Sequence, residues 1–151
     1  MQPASIPNPY PPEADSFIIL YRRVEHALSN QPAYLQNQAK AKVKWTSFAQ
    51  SLGENFFSYI ERSGKTQTIL TEPPRVLHSD GRWLPETQTT IKDVNELFVR
   101  GVCQVRHNIE HAGKFLYPEE KRSYDLVSEA AWILSQAISR HPQSTNIFPG
   151  I

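Results

Sequence analysis

In Thr90-Ile91-Lys92-Asp93-Val94-Asn95-Glu96-Leu97-Phe98-Val99-Arg100-Gly101-Val102-Cys103-Gln104-Val105-Arg106-His107-Asn108-Ile109, apolar residues recur with the period of an α-helix. Val94, Leu97, Phe98, Val102, Val105 and Ile109 share one face. Thr90 to Asp93 reads as a capping box, with Thr90 accepting from the third amide and an acid three residues on. The helix is expected to stop near Ala112-Gly113, where glycine takes the left-handed turn. A face this apolar must be buried against other elements, and the sequence on either side supplies them.

Upstream, Phe17, Leu20, Tyr21, Val24 and Leu28 form a first amphipathic stripe that Asn30-Gln31-Pro32 ends. A second helix is expected from about Tyr34 to Arg62. Ala41, Trp45, Phe48, Ala49, Leu52, Phe56, Tyr59 and Ile60 keep its period, and Ser63-Gly64 closes it. Lys40, Lys42 and Lys44 near its start read as a solvated face or as a phosphate-steering patch. Between Lys65 and Thr89 the periodicity breaks. Turn signals crowd there, and Arg75 to His78 and Arg82 to Leu84 flank Ser79-Asp80-Gly81 as a loop or short β-hairpin. Downstream, Pro118-Glu119-Glu120 opens a last helix whose stripe is Tyr124, Val127, Ala131, Leu134 and Ile138, widened by Leu126, Ala130, Ile133 and Ala137. Pro142 ends it. The expectation is an all-α four-helix bundle over residues 13–142 with an insertion between helices 2 and 3. A proline-rich arm covers residues 1–12 and a tail covers 143–151.

Composition narrows the function. The 151 residues suffice for one domain, and 39% hydrophobic against 21% charged is the balance of a folded chain. A net charge of +1 creates no global field, so nucleic acid or an anionic surface would need a local patch. The longest apolar run, Phe17 to Tyr21, is far too short to span a bilayer, and the first residues lack the pattern of a signal peptide. One cysteine, Cys103, excludes an internal disulfide and a cysteine-cluster zinc site. A soluble, cytoplasmic protein is expected.

Chemistry concentrates at the end of the third helix, Arg106-His107-Asn108-Ile109-Glu110-His111-Ala112-Gly113-Lys114. At about 100° per residue, Arg100, His107, His111 and Lys114 fall within a wedge of about 60° roughly opposite the apolar stripe. Arg106 lies on the shoulder of the stripe, about 140° from His111. One helix cannot easily aim both side chains at one small target, whereas a two-fold partner can present its own copy. The bland reading is a solvated helix end, with His111 complementing the helix dipole. His107 to His111 also fits the His-x-x-Glu-His spacing of inverted zinc peptidases. Those enzymes are much larger and take a third ligand from a distant downstream helix. Only about forty residues follow His111, without an evident partner, so no metal or other cofactor is expected.

Arg106, four intervening residues beginning with polar His107, and then His111 resemble the signature of the HEPN superfamily. That family carries its signature late in the third helix of a four-helix bundle. The resemblance implies a metal-independent endoribonuclease of a prokaryotic toxin or anti-phage defence type, working as a homodimer with a composite cleft. Its substrate would be RNA, cut through the 2′-hydroxyl to a 2′,3′-cyclic phosphate. His111 would do the general acid/base work that imidazole suits, and Arg106 would stabilise the phosphorane through its planar fork. His107 or Asn108 would support them, and Lys114 and Arg100 would meet the RNA backbone. Some members bind nucleotides or proteins without catalysis, and that is the alternative. Toxins of this family whose antitoxin modifies a tyrosine usually continue His-x-Tyr. Gly113 stands at that tyrosine's position here, which argues against that antitoxin type among the possible partner proteins.

Overall fold

The computed structural model describes residues 11–36, 42–111 and 120–151. Helix α1 (Glu13–Ser29) buries Ala14, Phe17, Tyr21, Val24 and Leu28. Acidic Glu13 and Asp15 stand in its first turn and His26 in its last, the arrangement the helix dipole favours. A 3₁₀ turn (Pro32–Tyr34) follows, and Leu35 bridges antiparallel to Val43.

The single helix expected over 34–62 is therefore two helices, and both follow the antiparallel Leu35–Val43 bridge. Helix α2 (Trp45–Leu52) ends at Gly53, whose φ of 80° and ψ of 173° are open to glycine almost alone. Helix α3 (Glu54–Ser63) starts immediately afterwards. The apolar period runs through the break because Phe48, Ala49, Phe56 and Ile60 all face one core. A short helix α4 (Gln67–Thr71), not expected from the sequence, buries Ile69 and Leu70. Its first amides, Thr68 and Ile69, donate to Glu129 Oε1 at 2.9 and 3.4 Å. A carboxylate from another element thus satisfies donors that a helix start leaves unpaired.

The β-hairpin is present. Strands β1 (Val76–Leu77) and β2 (Trp83–Leu84) pair antiparallel with Leu77 opposite Trp83. Beyond it, α5 (Val94–Glu96), a π-helical turn (Leu97–Val102) and α6 (Cys103–His111) run on as one rod. The rod does not begin at Thr90. Ile91 N–H donates to Leu70 O at 2.8 Å, which holds the chain extended, and Asp93 is the cap instead. Asp93 Oδ1 accepts from Glu96 N–H at 2.7 Å, and Glu96 Oε2 accepts from Lys92 N–H at 2.8 Å. Val94 N–H donates to the Glu54 carboxylate at 3.2 Å. Gly101 is needed in the rod, since a Cβ there would stand 3.3 Å from Ile69 Cδ1.

Helix α7 (Glu120–Arg140) packs against α1, α4, the π turn and α6. Leu126, Val127, Ala130, Ile133, Leu134, Ala137 and Ile138 are buried, the wide arc expected of it. Tyr124, placed on the stripe by its spacing, is instead 47% exposed. Arg122 and Ser123 are buried at that end, because Arg122 Nη2 donates to Glu72 O at 2.7 Å and Pro73 O at 3.0 Å. Helix α8 (Ser144–Ile147) lies in the segment read as a tail, and it brings Ile147 and Phe148 into the core.

That core centres on Phe48 and Phe98, with ring centroids 5.6 Å apart and edge to face. Trp45 and Phe56 stack against Phe98, while Tyr34, His141 and Phe148 surround Phe48. The described residues are mostly helical with one small sheet among them, and no described helix is long and apolar enough to cross a membrane. The stop near Ala112-Gly113, the proline start of the last helix and residues 1–10 of the arm lie outside the described residues.

The cap assignment has a direct test in urea unfolding. Asp93→Ala is expected to cost about 1 kcal/mol, whereas exposed Thr90→Ala leaves the midpoint unchanged. The reverse order would restore the cap to Thr90.

Candidate functional site

Helix α6 is regular from Cys103 to His111, so His107 and His111 lie one turn apart on the same face. Both are exposed, with ring centroids 4.5 Å apart and planes tilted by 42°. The His107 pKa stands below the ordinary imidazole value, first because the ring is partly desolvated. The neighbouring His111 ring and the Arg106 guanidinium push the same way, against Glu110. Its surroundings therefore favour the neutral imidazole.

Arg106, one residue earlier, is held on two sides. Its Nη2 lies 2.9 Å from Glu110 Oε2, and its guanidinium carbon lies 5.2 Å from the centre of the Tyr21 ring on α1. Glu110 Oε1 is 3.5 Å from Arg22 Nη2, so one carboxylate lies between two arginines. Arg106 Nε is buried without a hydrogen-bond partner. The guanidinium is oriented before any ligand arrives, and its charge is only partly answered.

Beside it lies a hollow of about 340 Å³, bounded among others by Tyr21, Lys42, Cys103, Gln104, Arg106 and His107. The Tyr21 hydroxyl and the Cys103 thiol both line this hollow. Burial pushes the Cys103 thiol up to about 12, against the lowering effects of Tyr21 and Arg106. Burial also raises the Tyr21 pKa well above the ordinary phenol value, helped by Cys103. Neither group ionises near neutrality, so Cys103 is no thiolate nucleophile.

The remaining sequence candidates serve the scaffold. Asn108 is buried, its Nδ2 donating to Arg75 O at 2.7 Å and its Oδ1 accepting from Gln104 Nε2 at 2.9 Å. Arg100 donates to Thr89 O at 2.7 Å and Thr89 Oγ1 at 3.0 Å, and it pairs with Glu96 at 3.4 Å. Arg100 lies within the π turn, so a wheel drawn at a constant angle from it into the regular helix does not apply. Lys114 lies outside the described residues. Among the described residues no group of three His, Cys, Asp or Glu side chains is arranged to hold a metal ion.

No protein-family model matches the chain, and no curated protein or solved structure shows significant similarity to it. Chemical assignment rests on the residues themselves. Glu110 and Tyr21 were not among the sequence candidates. Glu110 was accessible as the i+4 neighbour of Arg106, whereas Tyr21 arrives from α1, where it reads as one more core position.

Histidine titration by NMR tests these electrostatics. The His107 midpoint is expected below about 6.5. It should rise in His111→Ala, which removes an electrostatic effect that lowers it, and fall further in Glu110→Gln. A wild-type midpoint above the ordinary value would contradict the arrangement.

Proposed function

We propose that the chain is a HEPN-like four-helix bundle acting in the cytoplasm as a metal-independent endoribonuclease. The observation that carries the reading is the exposed His107–His111 pair on the helical turn that also bears the pre-oriented Arg106. In the reaction, the ribose 2′-oxygen attacks the adjacent phosphorus while its proton passes to imidazole. The bond from phosphorus to the 5′-oxygen breaks, and that oxygen takes up a proton. The products are a 2′,3′-cyclic phosphate and a 5′-hydroxyl.

His111 transfers the proton, and Arg106 stabilises the charge on the phosphorane. His107, kept neutral, offers a hydrogen-bonding nitrogen beside His111 without adding a second positive charge. To meet phosphate, Arg106 exchanges its contact with Glu110 for one with the substrate. Since Arg106 and His111 are about 140° apart around a regular helix, the working unit is a homodimer in which each protomer complements the other's motif. A toxin–antitoxin or anti-phage defence setting, with a partner protein that restrains the cleft, fits this chemistry.

A second reading has one observation in its favour. The 2.9 Å pairing of Arg106 with Glu110 is also what a non-catalytic nucleotide- or protein-binding bundle would keep.

The purified chain is expected to cut single-stranded RNA in EDTA. Arg106→Ala and His111→Ala should each reduce cutting by about a hundredfold or more while leaving the helical circular dichroism unchanged. Full activity in both variants would remove these residues from catalysis. Absence of cutting by wild type under all conditions would favour the binding module.

A further inference from the structure

The hairpin side of the rod forms a second feature, which shares only Arg106 and His107 with the cleavage chemistry. The hollow beside Arg106 adjoins another of about 310 Å³, bounded among others by Pro73, Pro85, Gln88, Thr89 and Arg100. The two share Val76, Val99 and Gln104, so they form one groove between the rod and the hairpin. In its middle, Val76 is 40% and Val99 43% exposed, two of five large hydrophobic side chains left exposed among the described residues. Lys42 and Arg106 stand at one end, with the His107 ring beside them, and Arg100 at the other; Glu25 is the sole carboxylate among the described lining residues, while Glu110 and Glu96 pair with Arg106 and Arg100.

The walls are fixed. Asn108 Nδ2 ties the rod to Arg75 O at 2.7 Å, Arg75 Nε donates to Pro85 O at 3.0 Å, and Arg100 clasps Thr89. A groove held in this way is formed before its ligand binds and loses little order on binding.

We propose that this groove binds single-stranded RNA, with an unstacked base packed on Val76 and Val99 and the flanking phosphates met by the cations at either end. A sequence of cation, apolar saddle and cation is complementary to a strand that alternates charged phosphates with apolar base faces. Bases reach the saddle only when they are out of a duplex. Arg106 and His107 belong both to the groove and to the catalytic turn, so a bound strand leads its next phosphate to His111. That last step rests on the nuclease reading, whereas binding in the groove does not.

The test is fluorescence anisotropy of the full chain with a labelled 2′-O-methyl oligonucleotide, which lacks the attacking hydroxyl and stays intact. Val99→Asp places a carboxylate on an exposed position in the saddle. It is expected to weaken binding about tenfold, with Val99→Leu retaining it. Lys42→Ala should lower the slope of log affinity against log salt by about one. Unchanged circular dichroism establishes that the variants fold. Wild-type affinity in Val99→Asp overturns the groove, and if wild type still cuts RNA, the nuclease reading survives alone. Weakened binding in Val99→Asp with no cutting by wild type supports the groove and overturns the nuclease. Polyglutamate competing as well as RNA would make an acidic peptide the occupant and overturn RNA.

Discussion

Everything else in this chain depends on burying one face of the Val94–His111 rod in the aromatic core around Phe48 and Phe98. Phe98 is completely buried, and enclosing a side chain of that size is worth about 1.5–3 kcal/mol. With that face committed, the opposite face is committed too, and it carries His107 and His111. The polar pins obey the same constraint. Asp93, Glu54, Glu129, Arg122 and Asn108 each bond backbone groups where a helix begins or an irregular segment is covered. Backbone donors and acceptors removed from water need partners, and here ionisable or amide side chains from distant positions provide many of them.

Much of this architecture was legible because apolar spacing reports burial. The faces of α1, the rod and most of α7 follow it, and the hairpin follows the turn residues Ser79-Asp80-Gly81. The failures have separate physical causes. Gly53 breaks a helix whose two halves face the same core, so periodicity hides the break. Helix α4 is five residues long and offers too few turns for a period to register. Thr90 has the chemistry of a cap, but a backbone bond from Ile91 to Leu70 decides the geometry. Tyr124 was displaced by Arg122, whose carbonyl partners are about fifty residues away in sequence.

The candidate site divides along the same line. Arg106, His107 and His111 come from one helix, and their spacing announces them. What gives Arg106 its orientation comes largely from elsewhere, through the Tyr21 ring and, by way of Glu110, Arg22. Asn108 and Arg100 carry polar groups that looked available for RNA, yet their contacts hold the hairpin and the Thr89 turn against the rod. Asn108 contributes to binding by shaping the groove, whereas Arg100 both clasps Thr89 and lines one end of the groove. For Arg100 the π turn explains part of the difference, because Arg100 lies within it, off the constant angle of the regular helix, and no composition signal marks the turn.

The central claim is that imidazole and guanidinium on α6 direct a ribose 2′-hydroxyl against its own phosphate. Mass spectrometry of the fragment ends, from RNA incubated with the purified chain in EDTA, addresses it most directly. The account predicts upstream fragments ending in a 2′,3′-cyclic phosphate and downstream fragments beginning with a 5′-hydroxyl, with no cut where the ribose is replaced by deoxyribose. Fragments bearing a 5′-phosphate and a free 3′-hydroxyl, or efficient cutting at the deoxyribose position, would contradict it.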